Sequence, residues 1–216
     1  MHRTHPLLLR YALVNVVALG LAWAAYVQGW LDGFWEPRTW IMALAIAAVF
    51  VWGLAIAGYR IFHVSTAIAA LARGDKIPAD VAHRLDRLRR VDARERPLEM
   101  DMARMEAANQ IGAIRFLANA LVFLGLIGTV IGFIIGLSGI DAAATSDVDK
   151  IAPMITELIN GMSVALYTTL LGAVLNIWLN LNVRILSDGA VRLLRNLLER
   201  ATTSEEVSSG ARDGAV

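Results

Sequence analysis

The chain has 216 residues, 57% of them apolar and only 18% charged, against about 25% charged in an average soluble globular chain. With no cysteine, it cannot form a disulfide framework, a Cys-ligated zinc site or a thiol nucleophile. The formal net charge of +1 is informative only through where the charges sit.

Four apolar runs are long enough to cross a bilayer, which takes about 20 residues. They cover roughly Tyr11–Gln28, Trp40–Phe62, Phe116–Ile140 and Leu158–Val183, and none contains Asp or Glu. The first follows Arg3 and Arg10 and ends near Ala22-Trp23-Ala24, a pattern shared with signal peptides. Its apolar run is longer than the 7–15 residues or so of a signal sequence, so residues 1–24 are expected to be retained as a helix. Between the first two runs lies a turn with Asp32, Gly33, Glu36 and Pro37. It is flanked by Trp30, Trp35 and Trp40, which suit an interfacial aromatic belt.

The basic residues set the orientation. Eleven lie from Arg60, at the end of the second run, to Arg115, just before the third, while only Arg38 and Lys150 fall in the other two connections. The positive-inside rule then places both termini and the middle segment in the cytoplasm.

The segment 63–115 is expected to be helical. The second run continues through Val64–Ala72 and stops near Gly74. Ala79–Arg94 carries Val81, Leu85, Leu88 and Val91 at helical spacing, and Pro97 interrupts it. Leu98, Met102, Met105, Ile111 and Ile114 form a second apolar stripe, read as a packing face, on a helix that runs into the third span. Basic and acidic residues are mixed here without a single-sign cluster, which argues against nucleic-acid binding. The four histidines are scattered, and no metal site or cofactor is expected. After the fourth span, Ile185–Leu198 reads as a helical extension, and from Thr202 the polar composition predicts a disordered tail. The expected fold is therefore all-α: a polytopic membrane protein with four transmembrane helices and helical cytoplasmic extensions. Its segments are 1–62, 63–115, 116–186 and 187–216.

The chemistry is expected in 116–186. At 100° per residue, with Thr129 at zero, Gly125, Gly132 and Gly136 fall near −40°, −60° and −20°. Gly128, Gly132 and Gly136 also form overlapping G-x-x-x-G units, which favour close helix packing. In the fourth span, with Thr169 at zero, Gly172, Asn176 and Asn180 fall near −60°, −20° and +20°. Asparagines facing lipid are costly, so this face must meet protein or water. Thr168 sits about 100° round the helix and is grouped with the path, its hydroxyl expected to bond its own backbone. Thr129, Thr168, Thr169, Asn176 and Asn180 are thus the candidate path-lining residues. Gly125, Gly128, Gly132, Gly136 and Gly172 are the packing residues. Hydroxyls do not ionise near pH 7 and the spans hold no carboxylate, so a titratable carrier must come from another chain. A non-conducting membrane scaffold that recruits a cytoplasmic protein is the alternative. A four-span enzyme has little support, since the external acids Asp141, Asp147, Asp149 and Glu157 are more simply a solvated loop than a catalytic pair.

Two strings resemble the signatures of the MotA/TolQ/ExbB family of ion-driven motor subunits. They are Leu124-Gly125-Leu126-Ile127-Gly128-Thr129-Val130-Ile131-Gly132 and Ala165-Leu166-Tyr167-Thr168-Thr169-Leu170-Leu171-Gly172. The resemblance implies a homopentamer in the bacterial inner membrane around a dimer of a single-span, MotB/TolR/ExbD-like partner. The partner's Asp would carry a proton or a sodium ion, with Thr129 and Thr169 facing it. Four spans with an internal cytoplasmic segment resemble the MotA arrangement, although about fifty residues is short for a flagellar stator. Val164 stands where the TolQ/ExbB branch has Glu, and Trp178 where the family often has Pro.

Overall fold

The computed structural model describes residues 6–29, 40–73, 78–90, 95–141 and 151–213, all but a few of them helical. Among the described residues five helices follow in order: α1 (Pro6–Val27), α2 (Trp40–Arg73), α3 (Ala79–Arg90), α4 (Arg96–Asp141) and α5 (Ile151–Asp213). Four are long and apolar enough to cross a membrane, all but α3. The chain is an all-helical, multi-pass membrane protein. The tryptophan-flanked turn, Val91 and the loop preceding Ile151 lie largely outside the described residues.

Local signals explain the helix ends. Gly29 adopts φ 73°, a left-handed conformation that only glycine takes without steric cost, and its N–H donates to the Tyr26 carbonyl at 3.0 Å. Pro97 does not separate two helices at a distance from both. It sits in the first turn of α4, where its missing N–H costs nothing, and Glu95 accepts from the N–H groups of Leu98 and Glu99. The helix at the end of the chain is longer than expected. No proline interrupts residues 202–213, and α5 continues to Asp213 where disorder was expected.

The chain divides into two compact units, each drawing residues from several helices. One comprises Val14–Ile56 and Ile114–Leu181. Its core is thin: Ile46, Ala118, Leu121 and Leu179 are fully enclosed, while Leu126, Val130, Phe133, Leu166 and Leu170 are exposed. Large exposed apolar side chains on uncharged helices are what a lipid-solvated protein shows, because hydrocarbon rather than water meets them. Helix α2 packs on α5 through Gly53, where an added Cβ would come within 2.6 Å of the Leu179 side chain. Phe50 and Trp178 stack with ring centres 5.0 Å apart, and the Trp178 indole N–H donates to the Asn15 side-chain oxygen of α1 at 2.9 Å.

The other unit comprises Met1–Leu13, Ala57–Ala113 and Asn182–Val216. Here α3 inserts Val81, Leu85 and Leu88 into a cluster with Ala67 and Leu71 of α2, Met100 of α4, and Leu194, Leu197 and Ala201 of α5. The Arg200 guanidinium donates to the Leu71 carbonyl, tying the end of α5 to the end of α2. The expected packing stripe on α4 holds at Ile111 and Ile114, which are half-buried and buried, and is corrected in its first half. Leu98, Met102 and Met105 are 65%, 58% and 72% exposed, and Met100 is buried in their place. Ala103 packs against the same cluster as Met100, so the small-residue side of α4 admits the neighbouring helices and the thioether stripe is turned outward.

Candidate functional site

Helices α4 and α5 meet along a seam of small residues within one chain. The contacts step in opposite directions along the two helices, so they are antiparallel. Gly125 faces Thr168 and Gly172, Gly132 faces Gly161 and Ala165, and Gly136 faces Leu158 and Gly161. At Gly132 an added Cβ would lie 2.6 Å from both the Ala165 nitrogen and the Gly161 oxygen. At Gly172 it would lie 2.5 Å from the Leu121 carbonyl oxygen. The obstacles are backbone atoms, which cannot rotate away. The five packing glycines expected from sequence all lie in this seam. Gly161 belongs to it as well, and its signal was the continuing small series Gly161, Ala165, Gly172 on one helical face.

The three threonines have different surroundings. Thr168 is fully buried, its side chain filling the space left by Gly128. Its hydroxyl donates to the Val164 and Ala165 carbonyls of its own helix at 2.9 and 3.1 Å. That bonding is the one expected, but a side chain enclosed in the seam does not face an open path. Thr129 and Thr169 lie at the seam's edge. The Thr129 hydroxyl donates to the Leu126 carbonyl at 2.5 Å, and the Thr169 hydroxyl crosses to the Gly125 carbonyl of α4 at 3.3 Å.

Both edge threonines are on the same side. Thr129 is displaced from Gly132, and Thr169 from Gly172, by about 60° in the same rotational sense. On antiparallel neighbours that places them along one edge. The pairing of Gly125 with Gly172 and of Gly136 with Gly161 puts Thr129 level with Thr168, so the two edge threonines are offset by about one residue, roughly 1.5 Å along the axis. The opposite edge is covered. Trp178, about 180° from Thr169 on α5, contacts α1 and α2, and Leu179 fills the notch at Gly53.

The asparagines are engaged. The Asn176 amide donates to the Ala118 carbonyl of α4 at 2.7 Å, and the Asn180 amide donates to the Asn176 carbonyl at 3.1 Å. Asn176 therefore bridges the two helices, and Asn180 bonds along its own. Two further asparagines with a structural part escaped the sequence reading. Asn15 anchors Trp178, and Asn182 is completely buried. Neither belongs to a small-residue pattern, so only the tertiary contact reveals it.

Chemically, both edge hydroxyls commit their protons to backbone carbonyls. Their oxygens remain as acceptors, suited to a cation or to an O–H donor such as a neutral carboxylic acid. Among the described residues no group of three or more His, Cys, Asp or Glu could hold a metal ion.

Neither the curated proteins nor the solved structures yielded a match. The family model described as the MotA/TolQ/ExbB proton channel family matches residues 74–199, a range that takes in both threonine edges and the whole glycine seam. That match spans more than half of the chain, which therefore belongs to the MotA/TolQ/ExbB proton channel family, with the ion-channel-like, energy-transducing role this implies.

Proposed function

We propose that the chain is an ion-conducting stator or energy-transducing subunit of the bacterial inner membrane, with both termini in the cytoplasm. It assembles as a homopentamer around a dimer of a single-span partner, and ion flow turns one against the other. The carrier is an Asp on the partner's helix. The ion is a proton, with sodium as the other candidate, and the work driven is motility, outer-membrane transport or a related process.

The observation that carries this reading is the pair Thr129 and Thr169. They share one open edge, their protons are directed to the Leu126 and Gly125 carbonyls, and their oxygens are left as acceptors. A protonated Asp offers the donor they lack, and the apolar runs contain no carboxylate of their own. The buried Thr168 contributes by holding the seam, and Asn176 by joining α4 to α5. The covered edge fits α1 and α2 on the outside of a ring.

Co-expression with the partner and measurement of ion flux into membrane vesicles tests the proposal. Thr129→Ala and Thr169→Ala are each expected to reduce flux about tenfold, the equivalent of one lost hydrogen bond of about 1.4 kcal/mol. If both variants conduct normally, the threonines do not line the path. Undetectable conductance with any partner, combined with loss of assembly in Gly132→Leu, would establish the scaffold function instead.

A further inference from the structure

A cavity of about 310 Å³ opens among α2, α3, α4 and α5. All its lining residues belong to the unit that contains Ala57–Ala113 and Asn182–Val216. Its walls are apolar, with Val64, Val81, Ile111, Leu186 and Leu194 among them. Its polar rim is made by Tyr59, Arg60, His63, Asp80, Arg84 and Gln110.

The charges on the rim are not equivalent. The Arg84 guanidinium is paired with the Glu106 carboxylate at 2.9 Å. Arg60 instead donates to the neutral Gln110 amide oxygen at 2.7 Å, and no carboxylate pairs with it among the described residues. Asp80 approaches His63 at 3.7 Å, a partner that is cationic only when protonated. The rim thus presents one guanidinium whose side-chain partner is a neutral amide and one carboxylate whose nearest basic group is an imidazole. Arg60 and His63 are three residues apart on one face of α2, about 5–6 Å between Cβ atoms, so the cation and the Asp80 carboxylate border the same opening.

The depth of the cavity follows from α2. Trp40–Tyr59 contains no charged residue, and its twenty residues rise about 30 Å, the thickness of the hydrocarbon core. Arg60 is the first charged residue beyond that run and falls at the level of lipid phosphates.

We propose that this cavity binds the phosphoethanolamine headgroup of a membrane phospholipid. The phosphate accepts from the Arg60 guanidinium and the Gln110 amide N–H groups. The primary ammonium donates to Asp80, with the exposed Tyr59 ring beside it. This pairing satisfies both rim charges, which a purely anionic headgroup cannot do because Asp80 repels it. A trimethylammonium headgroup has no N–H to give Asp80. The recognised chemistry is a phosphate ester bearing a primary ammonium. Its position at the end of the apolar run selects the lipid over a soluble phosphate. The site is separate from the threonine edge and does not depend on ion conduction.

The test is native mass spectrometry of the full chain in detergent. It is titrated with phosphatidylethanolamine, phosphatidylglycerol, phosphatidylcholine and soluble phosphoethanolamine. Phosphatidylethanolamine is expected to bind tightest. Asp80→Asn, which keeps the shape of the side chain, is expected to weaken that lipid about tenfold, as loss of one charge-assisted hydrogen bond would, and to remove its advantage over phosphatidylglycerol. Arg60→Gln should weaken all three phospholipids, and Arg60→Lys should restore part of the affinity. Unchanged helicity by circular dichroism shows that the variants are folded. Equal binding of phosphatidylethanolamine and phosphatidylglycerol by the unaltered chain overturns the proposal. So does a preference that survives Asp80→Asn, or binding of soluble phosphoethanolamine without any lipid preference.

Discussion

Gly161→Ala is the sharpest test of the seam. The added Cβ would sit 2.5 Å from both the Gly132 oxygen and the Gly136 Cα of α4. Carbon normally stands about 3.5–4.0 Å from such atoms, so the helices must separate by about 1 Å. Overpacking of this kind costs about 1–3 kcal/mol, and the upper end applies because no flexible side chain can yield. Alanine's better helix propensity returns about 1 kcal/mol. A net loss of about 1–2 kcal/mol is therefore expected. Gly112→Ala is the matched control, since nothing lies within 4 Å of its added Cβ and only the propensity gain applies. Unfolding of both variants in mixed micelles by SDS titration gives the difference directly, about 2–3 kcal/mol when the control gains about 1 kcal/mol. Equal stability of the two variants would falsify the close approach of α4 and α5. Separation should also lengthen the Thr169–Gly125 bond, so Gly161→Ala should lower ion flux even where the protein remains folded.

Asn176→Ala removes the amide that bridges to the Ala118 carbonyl and should cost about 0.6–1.7 kcal/mol, the range for such bonds between membrane helices. The same micelle titration measures it, and a neutral result would mean that the amide bonds elsewhere. Leu85→Ala empties the centre of the α3 contact and should cost about 2–5 kcal/mol. Its readout is faster proteolysis within α3, and unchanged protease resistance would show that α3 does not dock through Leu85.

Much of the architecture was legible because a bilayer imposes a strong constraint on sequence. Uncharged runs of about 20 residues can do little but span, and the four spans appear as helices at nearly the expected places. The continuation of α2 to Arg73 and the merging of Leu98–Ile114 with the third span were equally readable, since no breaker intervenes. The α4 stripe was harder. Periodicity marked Leu98, Met102 and Met105 as one face, but it cannot say which of two apolar-compatible faces a neighbour occupies. The Ala103 side accepted the close contact.

The candidate site divides along the same line. Sequence alone determined the family signatures, the clustering of glycines on one face, and the lack of a carboxylate in the spans. Each of these depends only on residue identity and on helical spacing. The tertiary structure decided how the glycines are used and which threonines are left at the edge. The glycines are consumed by the contact between α4 and α5, and that contact swallows Thr168 while leaving Thr129 and Thr169 side by side. The physical reason is that two residues one step apart differ by about 100° on a helix. Which of them is enclosed depends on where the neighbouring backbone lies, and a single helix carries no record of that.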